Sequence, residues 1–220
     1  MSSSRIAALA GLPLIAVLAL GARPAPPAPG GPATAPDSIL RLADAGRIQG
    51  SPSAKVWLVE ASDFQCPFCK EWHDQSYEKI VKDYVATGKV RFAFLNDPLS
   101  MHVHSMQAAE AGMCASAQGK FWPMHQLLFG SQDRWADLPD VTAYFDTLAR
   151  KAGVDLAAWR GCVRTHATRP MIDADQARLR ASDVQSTPTF FIGSEKIVGA
   201  APTATFVKAL DSALARAGAH

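Results

Sequence analysis

Two stretches of the chain are too apolar to face water on one side. Residues 55–62 (KVWLVEAS) and 89–97 (KVRFAFLND) are rich in β-branched and aromatic side chains and predict core strands. Between them Trp72, Tyr77, Ile80, Val81, Tyr84 and Val85 mostly follow helical spacing, and Gly88 supplies a stop, so this segment predicts a helix. From Met101 to Ser182 the pattern is helical throughout: VHSMQAAEAGMCASAQ, KFWPMHQLLFG with Pro123 in its first turn, LPDVTAYFDTLARKAG closed by Gly153, DLAAWRGCVRTHA, and RPMIDADQARLRASD. Strand signals return at 189–192 and 196–198, joined by a tight turn at Gly193-Ser194, and a closing helix is predicted over 202–217. Upstream, SILRLADAGRIQGSP is ambiguous; part of it predicts a first strand ending at the Gly50-Ser51-Pro52 turn. The order strand–helix–strand, helical insert, hairpin, helix predicts one α/β domain with an all-helical insertion over 101–182.

The first residues do not belong to this pattern. Arg5 precedes an apolar run from Ile6 to Leu20, interrupted by Gly11 and Pro13 and free of acidic residues. A spanning helix needs about 20 residues, so the run is short for one and fits a signal peptide over 1–21, cut after the Ala19-Leu20-Gly21 pattern. The alternative is an uncleaved N-terminal anchor. Both place the domain in a periplasmic or other extracytoplasmic space. Residues 22–36 (ARPAPPAPGGPATAP) hold six prolines and predict a semi-extended linker, with the folded domain at 37–217.

Composition then narrows the function. The 220 residues are 48% hydrophobic and 19% charged with a net charge of +2, an ordinary globular balance without the basic stripe of a nucleic-acid binder. No P-loop, serine nucleophile elbow or glycine-rich dinucleotide turn is present in the sequence. Export matters for the four cysteines: outside the cytosol disulfides form and persist, so an even count reads naturally as two pairs.

The stretch DFQCPFCKEW, residues 63–72, carries two of them as Cys-x-x-Cys. A zinc site needs four ligands, usually two close pairs; Cys114 and Cys162 make no second pair, and His73, His102 and His104 read as surface or helix-start histidines, so no metal is expected. Haem attachment requires His after the second cysteine, where this chain has Lys70. An inert disulfide and a redox couple remain. The redox reading has a physical basis. Cys66 falls at a predicted helix start, where free N–H groups and the helix dipole favour a thiolate. Pro67 suits the first helical position; Cys66 is expected to be accessible and Cys69, one turn on, to be the shielded resolving thiol.

Strand–CPFC–helix followed far downstream by STPTFF resembles the thioredoxin fold, and the helical insertion resembles the DsbA-like branch. VEASDFQCPFC, GKFWPMHQLLF and TPTFFIG together are similar to the DsbA-like thiol-disulfide oxidoreductases, over about residues 45–217. The resemblance implies that Cys66 is the nucleophile and Cys69 the resolving cysteine. It implies that Thr187-Pro188 is a cis-proline loop that packs on the disulfide and offers backbone to substrate, and that Glu60 is a buried acid relaying the Cys69 proton. The chain departs from the strongest oxidases of the family at Phe68, where those have His. An imidazolium there would favour the Cys66 thiolate; Phe68 instead adds apolar surface for substrate, and Lys70 reads as a solvated helix lysine. A less oxidising disulfide is therefore expected.

For Cys114 and Cys162, both on predicted helices of the insert, a structural disulfide is expected from the even count and from a similar subset of the family. Two buried free thiols or a second redox pair are the alternatives. Asp97-Pro98 and the SMHVHS loop would lie near the active face of such a fold, which makes His102 and His104 substrate-contact candidates. The expected activity is disulfide exchange without a cofactor, as a monomer acting on unfolded or cysteine-containing exported proteins and reoxidised by a membrane redox partner. The rivals are a reductase or isomerase of the same chemistry and a binding or chaperone module with a structural CPFC.

Overall fold

The structure is a computed structural model and describes residues 35–218; the expected signal peptide or anchor and nearly all of the expected linker lie outside the described residues. The described chain opens with helix α1 (Ala35–Gly46), followed by strand β1 (Ile48–Gln49). The short strand ends before Gly50 as expected, but most of the ambiguous segment is helix. Its physical reason is the apolar face: Ile39 and Ala43 pack on the core of the insert, while Leu42 on the next face stays exposed.

Strand β2 (Val56–Ser62) leads into α2 (Pro67–Trp72), whose rod continues through a π-helical stretch (His73–Tyr77), α3 (Glu78–Ile80) and a second π stretch (Val81–Val85). The five-residue step from Trp72 to Tyr77 is too long for one α-turn. The wider π-turn keeps both rings on the sheet side, where each is buried. Strand β3 (Val90–Asn96) then pairs parallel with β2, after a helical crossover. The insert follows, all helical: α4 (Ser105–Ser116), α5 (Phe121–Gly130), α6 (Gln132–Trp135), α7 (Thr142–Ala152), α8 (Leu156–Arg164) and α9 (Arg169–Ala181). Strands β4 (Thr189–Ile192) and β5 (Glu195–Val198) form the hairpin, and α10 (Thr203–Ala217) closes the fold. The sheet order is β1-β3-β2-β4-β5, with β2 and β3 parallel and the other pairs antiparallel.

Register puts one row of side chains on a single face. Leu58 lies opposite Phe92 and Ile192, and Glu60 opposite Phe94 and Phe190. Trp72, Ile80, Phe206 and Leu210 cover that face. Ala61, Leu95 and Phe191 point the other way, towards Leu179 of α9 and Val184. Within the insert, Cys114 of α4 and Cys162 of α8 form a disulfide with Cα atoms 5.8 Å apart, inside the range a bridge requires.

A buried ion network ties the first helix to the last helix of the insert. Arg47, only 3% exposed, bonds to the fully buried Asp175 of α9 and to Asp44; Asp175 also accepts from the Asn96 backbone N–H at 3.1 Å and from Arg178 at 3.2 Å. Removing one partner strands a buried charge. Arg47→Met is expected to lower the unfolding free energy in urea by about 3–5 kcal/mol, and adding Asp175→Leu to recover only part of that loss, because it also removes the acceptor of the buried Asn96 N–H.

Candidate active site

Strand β2 ends at Ser62, and the loop Asp63-Phe64-Gln65 delivers Cys66 to the start of α2. Cys66 is the N-cap, with extended backbone (φ −69°, ψ 125°), and Pro67 follows as the first residue of the helix. No side chain caps this helix, so its first N–H groups face the Cys66 sulfur. Three contacts fix the loop from within. The Cys66 N–H donates to the Asp63 carbonyl at 3.1 Å, the Asp63 N–H points at Cys69 Sγ at 3.5 Å, and the Asp63 carboxylate accepts from the Gln65 N–H at 2.8 Å.

The insert fixes the same loop from outside. Gln132 of α6 is buried and donates Nε2 to the carbonyls of Phe64 (2.7 Å) and Cys66 (3.0 Å). Gln65 bridges in both directions, donating to the Ala136 carbonyl at 2.9 Å and accepting from the His104 N–H at 2.6 Å. The Phe64 ring packs between Phe94 and Phe129, with centroids 4.9 and 5.0 Å away.

Opposite Cys66 lies the start of β4. The Thr187–Pro188 peptide bond is cis, and the Thr187 carbonyl is 3.5 Å from Cys66 Sγ. The Pro188 carbonyl is tied down by the Gly199 N–H at 2.8 Å. Cys66 and Cys69 are free thiols, 4% and 0% exposed. Cys66 is thus less open than a helix start alone suggests: what distinguishes the two sulfurs is their surroundings more than their access. Phe68 is the exposed element, at 60%.

Those surroundings drive the thiols apart. The Cys66 thiol is pulled down to about 6, first by the Cys69 thiol, with Thr187 and the Cys69 and Phe68 N–H groups adding to it and burial opposing. Burial, then the neighbouring Cys66 sulfur, pushes Cys69 well above the ordinary thiol value. Glu60 is fully buried on the sheet face below, and neither carboxyl oxygen has a hydrogen-bond partner among the described residues. Burial raises it to about 8, with the Ser62 hydroxyl pulling modestly the other way. Ser62, two residues on along the same strand face, also draws Cys69 down.

The sequence and structure of this site have clear relatives. The Thioredoxin family model matches residues 43–212. The chain belongs to the thioredoxin family. Within it the fold is that of the DsbA-like thioredoxin proteins: BdbD from Bacillus subtilis, in its oxidised form, superposes with a TM-score of 0.70 at 23% identity, over 77% of this chain and 94% of that one. Wolbachia pipientis alpha-DsbA1 superposes with a TM-score of 0.68 at 22% identity, over 78% and 92%. In sequence, the chain is 26% identical to disulfide bond formation protein D of Bacillus subtilis over 68% of both chains. It is 35% identical over 156 residues to a protein named Na(+)/H(+) antiporter NhaA 3 in Salinispora tropica, covering 70% of this chain but only 22% of that protein. Among the described residues no helix is long and apolar enough to cross a membrane.

The remaining sequence candidates separate within this thioredoxin fold. Lys70 pairs with Asp74 at 2.7 Å and lies 3.8 Å from Asp133, both on the exposed side. His102 holds the Asp63 carboxylate at 2.6 Å, and His104 is buried with both ring nitrogens engaged, by Gln107 and the Leu138 carbonyl. These histidines brace the loop; His73 lies apart, on Asp74. Sequence reading missed Asp63, Gln132 and Ser62. Ser62 had a signal, since it follows Glu60 by two on one strand face. Gln132 had none, because only the tertiary fold brings α6 to the loop.

Two titrations test these electrostatics. Reduced protein should show a thiolate, by its ultraviolet absorbance, that titrates near pH 6 and vanishes in Cys66→Ser, against an ordinary cysteine near about 8.5. Glu60 runs the opposite way. It ionises near 4.5 when unfolded and near 8 when folded, so rising pH takes the proton from the unfolded chain first and stability falls across that window. Glu60→Gln is expected to be more stable than the parent at pH 8, by about 3–5 kcal/mol, with the gap closing below pH 4.5.

Proposed function

We propose that this chain is an exported thiol-disulfide oxidoreductase that works as a disulfide donor. The observation that carries the reading is Cys66 at the bare start of α2, its thiolate favoured by the Cys69 thiol and then by Thr187 and helix N–H groups, facing the cis Thr187–Pro188 bond with Cys69 buried one turn behind. An inert structural pair needs no such difference between its sulfurs. An exchange enzyme needs it, because one sulfur must be a good leaving group and the other must be held back.

In the oxidising direction a client thiolate attacks Cys66 Sγ. The Cys66–Cys69 bond breaks, and Cys69 leaves as a thiolate that takes up a proton, with Glu60 as the donor. A second client thiolate then attacks the client sulfur of the mixed disulfide and expels Cys66 as its stabilised thiolate. The client loses two electrons and gains a disulfide; the chain keeps the dithiol until a membrane redox partner reoxidises it. The Thr187 and Pro188 backbone holds the client strand beside Cys66, and Phe68 supplies apolar contact. Disulfide bond formation protein D, by its name, supports the donor direction. Residues 1–21 would direct export or anchor the chain and 22–36 would space the domain from the membrane; Cys114–Cys162 would be structural, and the domain a monomer. No nucleic acid is involved.

A reductase or isomerase would use the same residues, and potential separates them. Equilibration with glutathione buffers, in the parent and in a variant lacking Cys114 and Cys162, is expected to give a value between about −120 and −180 mV, the range of DsbA and protein disulfide isomerase. A value near the thioredoxin figure of about −270 mV overturns the donor direction. Cys66→Ser is expected to abolish exchange; a chaperone whose CPFC is only structural would keep its activity in that variant.

A further inference from the structure

The main chain of Asp63 meets both cysteines. Its N–H points at Cys69 Sγ at 3.5 Å, and its carbonyl accepts from the Cys66 N–H at 3.1 Å. The Asp63 side chain is fully buried, where a carboxylate needs donors. Three are present: the Gln65 N–H on Oδ1 at 2.8 Å, the Leu99 N–H on Oδ2 at 3.0 Å and His102 Nδ1 on Oδ2 at 2.6 Å. Two of these are main-chain groups. Among the described residues His102 is the one side chain that pairs with Asp63. A carboxylate only accepts, so Nδ1 carries the proton whatever the charge of the ring.

His102 comes from 39 residues further along, in the loop between β3 and α4. Its ring is mostly covered, whereas Met101 and Val103 on either side of it are exposed. The loop holds the ring inward by its own bonds. The His102 N–H donates to the Leu99 carbonyl at 3.0 Å, and the Ser105 hydroxyl is shared between the carbonyls of Leu99 (3.1 Å) and His102 (3.0 Å). Each link from His102 to the buried sulfur also registers in the electrostatics. Burial raises the Asp63 carboxyl, and His102 is foremost among the groups pulling it back, ahead of the Leu99 and Gln65 N–H groups. Burial and the Cys66 sulfur push Cys69 up, and the Asp63 N–H is the first group that draws it down, ahead of Ser62. The other acid that feels the Asp63 charge is Asp97, itself raised first by burial.

We propose that His102 is a positioning residue for disulfide exchange: by holding the Asp63 carboxylate it keeps the Asp63 N–H aimed at the Cys69 sulfur, where charge develops. The inference rests on the exchange reading above. Cys69 carries negative charge in both directions of the reaction. It leaves as a thiolate when a client thiolate attacks Cys66. It attacks as a thiolate when it resolves a mixed disulfide: the Cys69–Cys66 bond forms, the bond from Cys66 to the outgoing sulfur breaks, and that sulfur departs with the electron pair. A buried sulfur has no water to take up this charge, so a donor already in place counts for more there than at the surface. Cys66 does not depend on His102 in the same way. Gln132 grips the carbonyls of Phe64 and Cys66 from the insert, and that hold persists when the imidazole is lost. The effect of His102 therefore falls on Cys69.

Two variants remove the donor, His102→Ala by truncation and His102→Phe with a ring kept, and His102→Asn puts an amide N–H where Nδ1 stood. Urea unfolding shows which are folded. The first readout is the ultraviolet titration of the Cys69 thiolate in a Cys66→Ser background, taken as the difference from a variant lacking both thiols. The second is the pH profile of glutathione release from a preformed Cys66–glutathione mixed disulfide, the step in which Cys69 attacks. In His102→Ala and His102→Phe both are expected to move to higher pH by about one pH unit, the loss of about one hydrogen bond. A tenfold smaller thiolate fraction is partly offset by the greater nucleophilicity of a more basic sulfur, so release at neutral pH slows about three- to fourfold. His102→Asn should stay with the parent, and with Cys66 present its thiolate should still titrate near pH 6 in all three. A merely structural role would lower stability alone or move both thiols together. An unmoved Cys69 in a folded His102→Ala or His102→Phe overturns the proposal, as does a His102→Asn that behaves like His102→Ala, or a Cys66 that shifts with Cys69. If the parent forms no mixed disulfide at Cys66, the exchange reading itself fails, while the Cys69 titration still decides whether His102 acts on that sulfur.

Discussion

The Cys66 thiolate is favoured first by the Cys69 thiol, then by Thr187 and the first N–H groups of α2, and these groups meet at its sulfur only while the loop before the helix holds one shape. The side chain of Cys66 meets the Thr187 carbonyl, 121 residues further along the chain. The two are brought together by the pairing of β2 with β4, which sets Ala61 opposite Thr189 and leaves the loops that follow β2 and precede β4 side by side. A one-residue slip of this register would turn Glu60 and Ser62 to the other face and remove the acid from beneath Cys69. The sheet therefore fixes both the Cys66 sulfur and the buried acid on the same strand.

The helical insert takes part in this constraint. Gln132 grips the carbonyls on either side of Gln65, Gln65 reaches back to Ala136, and the intervening Phe64 is buried among rings from α5 and β3. A neutral amide fits this position because it satisfies buried carbonyls without adding a charge next to the sulfur. The Cys114–Cys162 bridge joins α4 to α8 within the same body, and α5, α6 and α7 pack on the cluster that contains Phe64. Rigidity in the insert is thereby passed to the loop that presents Cys66.

The main strands, the helices and the CPFC position were legible in the sequence because each rests on local periodicity or on a short motif. The failures have a common cause. SILRLADAGRIQG stayed ambiguous: its short strand before Gly50 was found, but the helix of Ile39 and Ala43 was not, because their partners lie in the insert and are invisible locally. Cys66 was expected to be open, yet the packing of Thr187 and the loop leaves it 4% exposed. Glu60 was legible only through family resemblance, since a lone carboxylate in a strand reads equally as a solvent-facing one.

Phe68 links the electrostatics to recognition. With no imidazolium at this position, Cys66 depends on neutral donors, which lower its thiol only to about 6. On the proposed reading, a more weakly trapped thiolate drives client oxidation less strongly, because stabilising the reduced form is what makes a disulfide a strong oxidant. In exchange the site carries an exposed ring, and the loop that Asp63 and Gln65 clamp carries two more exposed apolar side chains, Met101 and Val103. On the proposed reading, selectivity rests on apolar contact with unfolded chains, which hold their own cysteines against Thr187 and Pro188 long enough for a modest driving force to suffice. A folded protein that buries its apolar residues would find few such contacts. Driving force and recognition thus meet at one position, where ring chemistry replaces charge.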